Sequence, residues 1–240
     1  MLSVVVPTYN EEANIARCLR ALEAQTLPRD QIEVIVVDGE STDRTREVAS
    51  ALADKVVTQV SPGVGGARND GFKLATHSIV ATTDADCEPH HGWAQAILEA
   101  FRDPGVVAVT GPLEPFDWGD MGPLGVGLYK ALFWGSNLLL RLLAPLGYHH
   151  LCGANSAFRR EAFLEAGGYL PLSYADDVEI VKRLRGRVVR RGDVRTRYSV
   201  RRIRKLGLAR YLVLLARMEL EVMVLGRRPT KKEYARMDYG

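Results

Sequence analysis

Short β-rich runs alternate with helical patterns over residues 1–110, and this alternation constrains the fold more than any other feature of the chain. Apolar and β-branched runs predict strands at residues 2–6, 32–37, 55–58, 78–83 and 106–110. Between them, amphipathic patterns and capping residues predict helices at 11–25, 41–52, 65–75 and 91–101. Strands that alternate with helices form βαβ units and a mostly parallel sheet covered by helices. The chain is therefore expected to adopt an α/β fold.

Polar or turn-forming residues follow three of the predicted strands. Residues 7–9 (Pro-Thr-Tyr) follow the first strand, Asp38 closes the second, and residues 84–86 (Asp-Ala-Asp) follow the fourth. In open α/β sheets, ligands bind beyond the carboxyl ends of the strands. We therefore expect these three segments to converge on one rim of the sheet and to form a binding site there.

Asp84 and Asp86 are two residues apart, so both side chains point to the same side if the strand persists. Paired carboxylates suit Mg²⁺ or Mn²⁺, whose coordination is completed by water and substrate phosphates. The neighbouring Cys87, His90 and His91 raise a zinc site as the alternative. Cys-x-x-His-His is not a usual zinc spacing, and the remaining candidates, at 149, 150 and 152, are remote in sequence. The pattern favours a hard divalent cation.

Two further residues suit a nucleotide. Asp38 could accept hydrogen bonds from a base or a ribose. Arg68 follows the Gly-rich turn at 62–66 near a helix start, where backbone amides and a guanidinium together suit a diphosphate. The alternative for Arg68 is an ordinary surface arginine on a helix.

The second half of the chain has a different sequence pattern from the first. Residues 112–122 form a Gly/Pro/Asp-rich loop, and an apolar stretch at 124–146 follows. Lys130, Trp134, Asn137 and Arg141 fall on one helical face of that stretch, which fits either an interfacial helix or a buried core helix. Since no run reaches eighteen uninterrupted apolar residues, a membrane-spanning helix is not expected.

Positive charge is concentrated between Arg185 and Arg210, where eleven Arg or Lys residues accompany a single acid, Asp193. Such a block indicates an anionic partner, and its position just before a predicted amphipathic helix at 208–225 favours an anionic lipid surface. Sparse aromatics argue against nucleic acid. Three scattered cysteines and the absence of a signal-peptide pattern predict a cytoplasmic location, peripheral at the membrane face.

Taken together, these motifs resemble the inverting, nucleotide-sugar-dependent glycosyltransferases of family 2, which have the GT-A fold. The resemblance spans roughly residues 2–185 and rests on six motifs in order, at 4–12, 37–45 (with Glu40 where a Ser is commoner), 66–71, 83–86, 153–169 and 176–184. It implies a GT-A-type, Rossmann-like sheet with amphipathic C-terminal helices. The implied division is a glycosyltransferase domain at 1–198, with a nucleotide-binding half at 1–111 and an acceptor and catalytic half at 112–198, and a basic extension at 199–240.

The resemblance also implies roles for residues at matching positions. The nucleotide would be bound by Pro7, Thr8, Tyr9, Glu11, Asp38, Arg68 and Asp84. Asp86 would be the chief ligand of Mn²⁺ or Mg²⁺, together with Asp84. The donor sugar and acceptor would be bordered by Gly153, Ala154, Asn155 and Trp93. Asp177 would be the general base, while Asp176 stands where that family more often has Glu and is the alternative base.

The expected reaction is transfer of a sugar from a nucleoside-diphosphate sugar to the hydroxyl of a lipid-linked or membrane-proximal acceptor. The general base deprotonates that hydroxyl, and the metal and Arg68 stabilise charge that grows on the diphosphate. A Gln-x-x-Arg-Trp motif is absent, which argues against a processive polysaccharide synthase. A nucleotidyltransferase and a non-catalytic nucleotide- or lipid-binding module are the alternatives.

Overall fold

A computed structural model describes residues 1–144, 150–172 and 176–219 of the chain. Seven strands form its main sheet: β1 (Leu2–Thr8), β2 (Ile32–Asp38), β3 (Lys55–Thr58), β4 (Ile79–Thr82), β6 (Val106–Thr110), β8 (Ser156–Arg159) and β9 (Arg187–Arg190). They are ordered β3-β2-β1-β4-β8-β6-β9. Only β8 runs antiparallel to its neighbours β4 and β6, and the other pairs in this sheet are parallel. The predicted α/β class with a mostly parallel sheet is confirmed.

Both faces of this sheet are covered by helices. The α-helices of the described residues, not all of which lie on this sheet, are α1 (Ile15–Glu23), α2 (Thr45–Ser50), α3 (Gly63–Leu74), α4 (Trp93–Ala100), α5 (Pro123–Leu143), α6 (Arg160–Glu165), α7 (Asp176–Glu179), α8 (Arg201–Leu206) and α9 (Leu208–Glu219). Because side chains alternate along β1, Val4 belongs to the apolar cluster that includes Trp93 of α4, whereas Val5 belongs to the opposite cluster with Phe72 of α3. A Cβ at Gly71 would collide with Val5, so glycine there lets α3 pack closely on the sheet.

A second, smaller sheet lies beside the first. Its strands β5 (Cys87–Pro89), β7 (Leu113–Phe116) and β10 (Thr196–Ser199) are ordered β5-β10-β7. β10 pairs antiparallel with β5 and parallel with β7. This sheet therefore joins the segment that follows Asp86 to the segment that precedes α8.

Several predicted element boundaries need correction. Pro7 does not end β1, which continues to Thr8. The carbonyl of Thr8 accepts the amide of Gly39 on the β2 side, so Pro7 faces the β4 side, where β4 has already ended at Thr82. The pairing of β1 with β4 ends before Pro7, so the amide hydrogen that proline lacks interrupts no pair of these two strands. Residues 113–116 were expected to belong to a loop, and no strand was predicted at residues 87–89, but pairing with β10 makes both segments strands.

Most of the apolar stretch at 124–146 forms α5, which ends at Leu143, and residues 145 and 146 lie outside the described residues. Tyr129 is its one buried residue, and Leu124 and Trp134 are 88% and 70% exposed. The alternative of a buried core helix is therefore wrong for α5. Among the residues that the structure describes, no helix combines the length and apolarity needed to cross a bilayer. The predicted helix at 208–225 is seen as α9 up to Glu219, and the rest of that prediction lies outside the described residues.

Candidate active site

The carboxyl ends of β1, β2 and β4 meet at one rim of the sheet. Thr8 is paired in register with Asp38, and Asp84 follows β4, which lies on the other side of β1. Arg68 reaches this rim from α3, and its Nη2 donates to Asp84 Oδ1 over 2.7 Å. The predicted convergence of these segments is thus present in the structure.

Asp38 is fully buried at the end of β2. Its carboxylate accepts hydrogen bonds from the amide of Ser41 at 3.0 Å and the hydroxyl of Ser41 at 2.5 Å, and Arg46 lies 3.3 Å away. Beside it, a cavity of about 160 Å³ is lined by residues 39, 40 and 59–62. Glu40 in this wall has φ +65°, a left-handed conformation that is uncommon for a glutamate and that favours glycine or asparagine.

The guanidinium of Arg68 is buried, with 4% of the residue exposed. Burial is the largest single influence and by itself would lower the pKa of Arg68, but Asp84, together with Tyr169, Asp176 and Asp177, holds that pKa above its ordinary value. The group also lies over the ring of Tyr169, 5.8 Å from its centroid, and its Nε has no hydrogen-bond partner among the described residues. A Cβ at Gly153 would collide with this guanidinium, so glycine at 153 makes room for it.

Asp84, Asp86 and Cys87 each direct one ligand atom into a space where these atoms lie within 4.8 Å of one another. Burial raises the pKa of the Cys87 thiol well above its usual value, and the charges of Asp86 and Asp84 add to this effect. Asp84 and Asp86 offer carboxylate oxygens to this space, and Cys87 offers a buried sulfur. Paired carboxylate oxygens of this kind fit Mg²⁺ or Mn²⁺. The imidazoles of His90 and His91 contact Glu114 and the carbonyl of Ala24.

Burial raises the pKa of Asp86 to about 6, and the nearby guanidinium of Arg201 opposes this increase. Arg201 Nε donates to Asp86 Oδ2 over 2.9 Å, and its two terminal nitrogens donate to both carboxylate oxygens of Glu11. Glu11, predicted to line a base pocket, is thus joined to the Asp86 carboxylate through Arg201. Arg201 itself was missed by sequence reasoning, because nothing in its local pattern separates it from the other arginines of the basic block.

Asp176 and Asp177 begin α7 and face different surroundings. Asp177 Oδ2 accepts the amide of Gly153 over 2.8 Å. Asp176 is 5% exposed, its Oδ2 has no hydrogen-bond partner among the described residues, and a Cβ at Gly65 would collide with it. Burial raises the pKa of Asp176 to about 7, the charge of Asp177 adds to this, and Arg68 opposes it. The two carboxylates therefore differ in burial and in hydrogen bonding.

Two of the residues expected to border the sugar have fully buried side chains. Trp93 is fully buried and donates through Nε1 to Asn155 Oδ1 over 2.8 Å. Asn155 is also fully buried, and its amide nitrogen donates to the carbonyls of Pro112 and Val194. Trp93 and Asn155 thus bond to each other and to the backbone of two other segments. Gly153 lies next to Arg68 and Asp177, and contact of these residues and of Ala154 with a sugar stays a prediction.

The basic block is largely paired with the chain's own acids. Its ion pairs join arginines to carboxylates of distant segments: Arg187–Asp103, Arg191–Glu99, Arg195–Glu114, Arg197–Glu88, Arg201–Glu11 and Arg204–Asp117. Much of the charge that predicted an anionic partner is therefore balanced within the fold.

Comparison with known proteins places the site in context. Residues 3–167 match the model of the family described as "Glycosyl transferase family 2". The glycosyltransferase AglE of Haloferax volcanii is 35% identical over 119 residues, which are 47% of this chain and 39% of that protein. The amylovoran biosynthesis glycosyltransferase AmsE of Erwinia amylovora is 30% identical over 196 residues, which are 77% of this chain and 69% of that protein.

Among solved structures, the mannosyltransferase PcManGT of Pyrobaculum calidifontis in complex with GDP-Man and Mn²⁺ has a TM-score of 0.67 and 27% identity. The match covers 90% of this chain and 64% of that one. The fold is therefore of the GT-A type. The chain spans about two fifths of the length of the first curated relatives that it matches.

Proposed function

The chain belongs to glycosyl transferase family 2, and on that premise we propose that it transfers a sugar from a nucleoside-diphosphate sugar to an acceptor hydroxyl with inversion at the anomeric carbon. The observation that carries this proposal is the rim cluster, in which Arg68 is paired with Asp84 beside Asp86 and Asp177. A buried cation, two potential metal ligands and a carboxylate base then lie at the carboxyl ends of the strands, where α/β sheets bind ligands.

The nucleoside is proposed to lie against residues 7–9 and Asp38, with the neighbouring cavity of about 160 Å³ available to the base. The diphosphate is proposed to contact Arg68, because a guanidinium binds phosphate oxygens in a fork of two hydrogen bonds. In the transition state, negative charge grows on the departing diphosphate. A fixed cation in a buried site stabilises that charge more than it stabilises the ground state.

Asp86 and Asp84 are proposed to hold Mn²⁺ or Mg²⁺, which when bound would supply further positive charge to the diphosphate oxygens. The two carboxylates suit this role because their oxygens converge and carboxylate oxygens are the ligands that these metals prefer. The complex of PcManGT contains Mn²⁺ and a nucleoside-diphosphate sugar together, which supports the same arrangement here.

Asp177 is proposed as the general base. Its carboxylate is oriented by the Gly153 amide and is more accessible than that of Asp176, which is buried and has a raised pKa. A base needs hydrogen-bond reach of the acceptor hydroxyl, and an enclosed carboxyl lacks that access. Asp176 is proposed instead to help position Asp177 and Arg68, its two charged neighbours, from its buried place.

A lipid-linked or membrane-proximal acceptor is proposed from the surface of α5. Apolar side chains on this helix remain exposed: Leu124, Leu128, Leu132, Trp134, Leu138, Leu139 and Leu142. An apolar cavity of about 250 Å³ lies between α5 and β7, lined by residues 112–115 and by Lys130, Phe133, Trp134 and Asn137. Exposed apolar surface of this kind on a helix favours contact with a membrane or with an apolar acceptor.

The proposal is tested by incubating the protein with Mn²⁺, a panel of nucleoside-diphosphate sugars and a short-chain polyprenyl-diphosphate sugar, whose sugar supplies the acceptor hydroxyl. The expected result is release of nucleoside diphosphate from one donor only, with a product whose anomeric configuration, read by NMR, is opposite to that of the donor. Transfer with retained configuration would contradict the inverting mechanism, and absence of any turnover across donors and acceptors would contradict the proposed activity.

A further inference from the structure

Arg201 places one guanidinium against two carboxylates of the candidate active site. Its Nε donates to Asp86 Oδ2 over 2.9 Å, and Nη1 donates to Glu11 Oε2 over 2.8 Å. Nη2 donates to the second oxygen of Glu11. All three nitrogens are thus engaged, and only 16% of the side chain is exposed. The cation therefore lies at one of the two carboxylates that are suited to a divalent metal.

The small sheet fixes the backbone of Arg201 at this place. Tyr198 of β10 is paired in register with Cys87, the residue directly after Asp86. The amide of Ser199 donates to the carbonyl of Asp86 over 3.2 Å, and its hydroxyl donates to Asp117 over 2.9 Å. Arg201 follows two residues later, at the start of α8. Its backbone is thus tied to the metal-ligand segment itself.

A guanidinium and a divalent cation compete for the same carboxylate. Asp86 Oδ2 accepts a hydrogen bond from Arg201 Nε, and a metal held by Asp86 and Asp84 would lie close to this positive charge. The two cations repel each other unless further negative charge enters. A diphosphate brings that charge, because its oxygens can bind a metal and a guanidinium at the same time.

Resting on the proposed function, we propose that Arg201 is a positioning residue that occupies Asp86 in the metal-free protein and must release it when a metal binds. Glu11, which is held by two of the three guanidinium nitrogens, keeps the side chain nearby after release. Arg201 therefore weakens binding of the metal alone. It makes metal and nucleoside diphosphate bind cooperatively, so that each raises the affinity for the other by the same factor.

The test compares Mn²⁺ affinity in the wild type and in Arg201→Gln, measured by electron paramagnetic resonance without nucleotide. We expect Arg201→Gln to bind Mn²⁺ about 10-fold more tightly, within the 5- to 150-fold range of typical couplings. The matched control is Arg204→Gln on the same helix, which loses the same charge but pairs with Asp117, away from the metal ligands. Its affinity should change less than twofold.

A second measurement repeats the titration with UDP or GDP present. Nucleotide should tighten Mn²⁺ binding in the wild type by a larger factor than in Arg201→Gln. Arg201→Lys keeps the charge but cannot bridge both carboxylates as a guanidinium does. The factor by which nucleotide tightens Mn²⁺ binding in Arg201→Lys should therefore lie between the factors for the wild type and Arg201→Gln. If Arg201→Gln unfolds without metal, rescue of its thermal transition by Mn²⁺, with a larger shift than in the wild type, gives the same readout.

Two negative results are distinguishable. Equal Mn²⁺ affinity in the wild type and Arg201→Gln, with binding abolished by Asp86→Asn, would overturn the role of Arg201 and leave the metal site in place. No Mn²⁺ binding by any of these proteins, with or without nucleotide, would overturn the proposed metal site itself and the role of Arg201 with it.

Discussion

Replacing Asp176 by asparagine should stabilise the folded protein at alkaline pH. Asp176 is 5% exposed, its Oδ2 accepts no hydrogen bond among the described residues, and its neighbour Asp177 is also acidic. Burial, followed by the charge of Asp177, raises the pKa of Asp176 to about 7 from an ordinary 3.8. The carboxyl is therefore easier to ionise in the unfolded chain than in the folded protein.

The sign of the effect follows from proton linkage. Between pH 4 and 7 the folded state holds this proton and the unfolded state releases it, so stability falls as pH rises through this range. Each pKa unit corresponds to about 1.4 kcal/mol. Above pH 7 the buried Asp176 carboxylate therefore costs roughly 4 kcal/mol, which is an upper limit for what Asp176→Asn can recover, because the new amide needs acceptors of its own.

Urea unfolding followed by circular dichroism at pH 4, 6 and 8, with EDTA present, measures this difference. Asp176→Asn should match the wild type near pH 4 and exceed it increasingly towards pH 8. Asp177→Asn removes only the second cause of the raised pKa, so its gain at pH 8 should be smaller. If the wild type and Asp176→Asn show parallel stability profiles across this range, the reasoning about the buried carboxyl is refuted.

Two further predictions concern catalysis and membrane contact. Asp177→Asn should keep its nucleotide affinity but lose transfer by about 10²- to 10⁴-fold, the usual contribution of a general base, and unchanged turnover in a coupled assay for nucleoside-diphosphate release would assign the base elsewhere. The exposed Leu139 and Leu142 of α5 should each contribute about 1.5 kcal/mol on insertion into a bilayer interface, so replacing both with serine should lower binding to anionic liposomes roughly 100-fold. Liposome flotation measures this binding, which should weaken with added salt; binding that is indifferent to lipid charge and to both substitutions would contradict membrane contact through α5.

The sheet and its polar rim could be predicted from the sequence because both follow from local patterns. Strand–helix alternation places Asp38 and Asp84 after parallel strands, and parallel strands end at the same rim. Pro7 shows the limit of such rules. Proline usually ends a strand, but here the adjoining strand stops first, a fact of strand length in three dimensions that residues 2–8 do not contain.

The sequence patterns could not predict which way a side chain points or which distant residues pair. Trp93 lies only seven residues after Asp86, yet the start of α4 turns its indole into the core towards Asn155. Arg201 lies 190 residues after Glu11, and only the pairing of β10 with β5 brings it to the site. The ion pairs of the basic block could not be predicted either, because their acids lie in distant segments of the chain. The positive charge counted in the sequence is therefore larger than the charge left unbalanced in the fold.

Calorimetric titration of UDP and GDP into the protein, with Mn²⁺ or with EDTA, measures whether this rim binds a nucleotide with the help of a metal. At least one of the two nucleotides should bind with Mn²⁺, EDTA should weaken this binding strongly, and Asp86→Asn should remove the effect of the metal. Binding of neither nucleotide in the presence of Mn²⁺, or binding that is equally strong with EDTA, would contradict a metal-assisted nucleotide-sugar site at this rim.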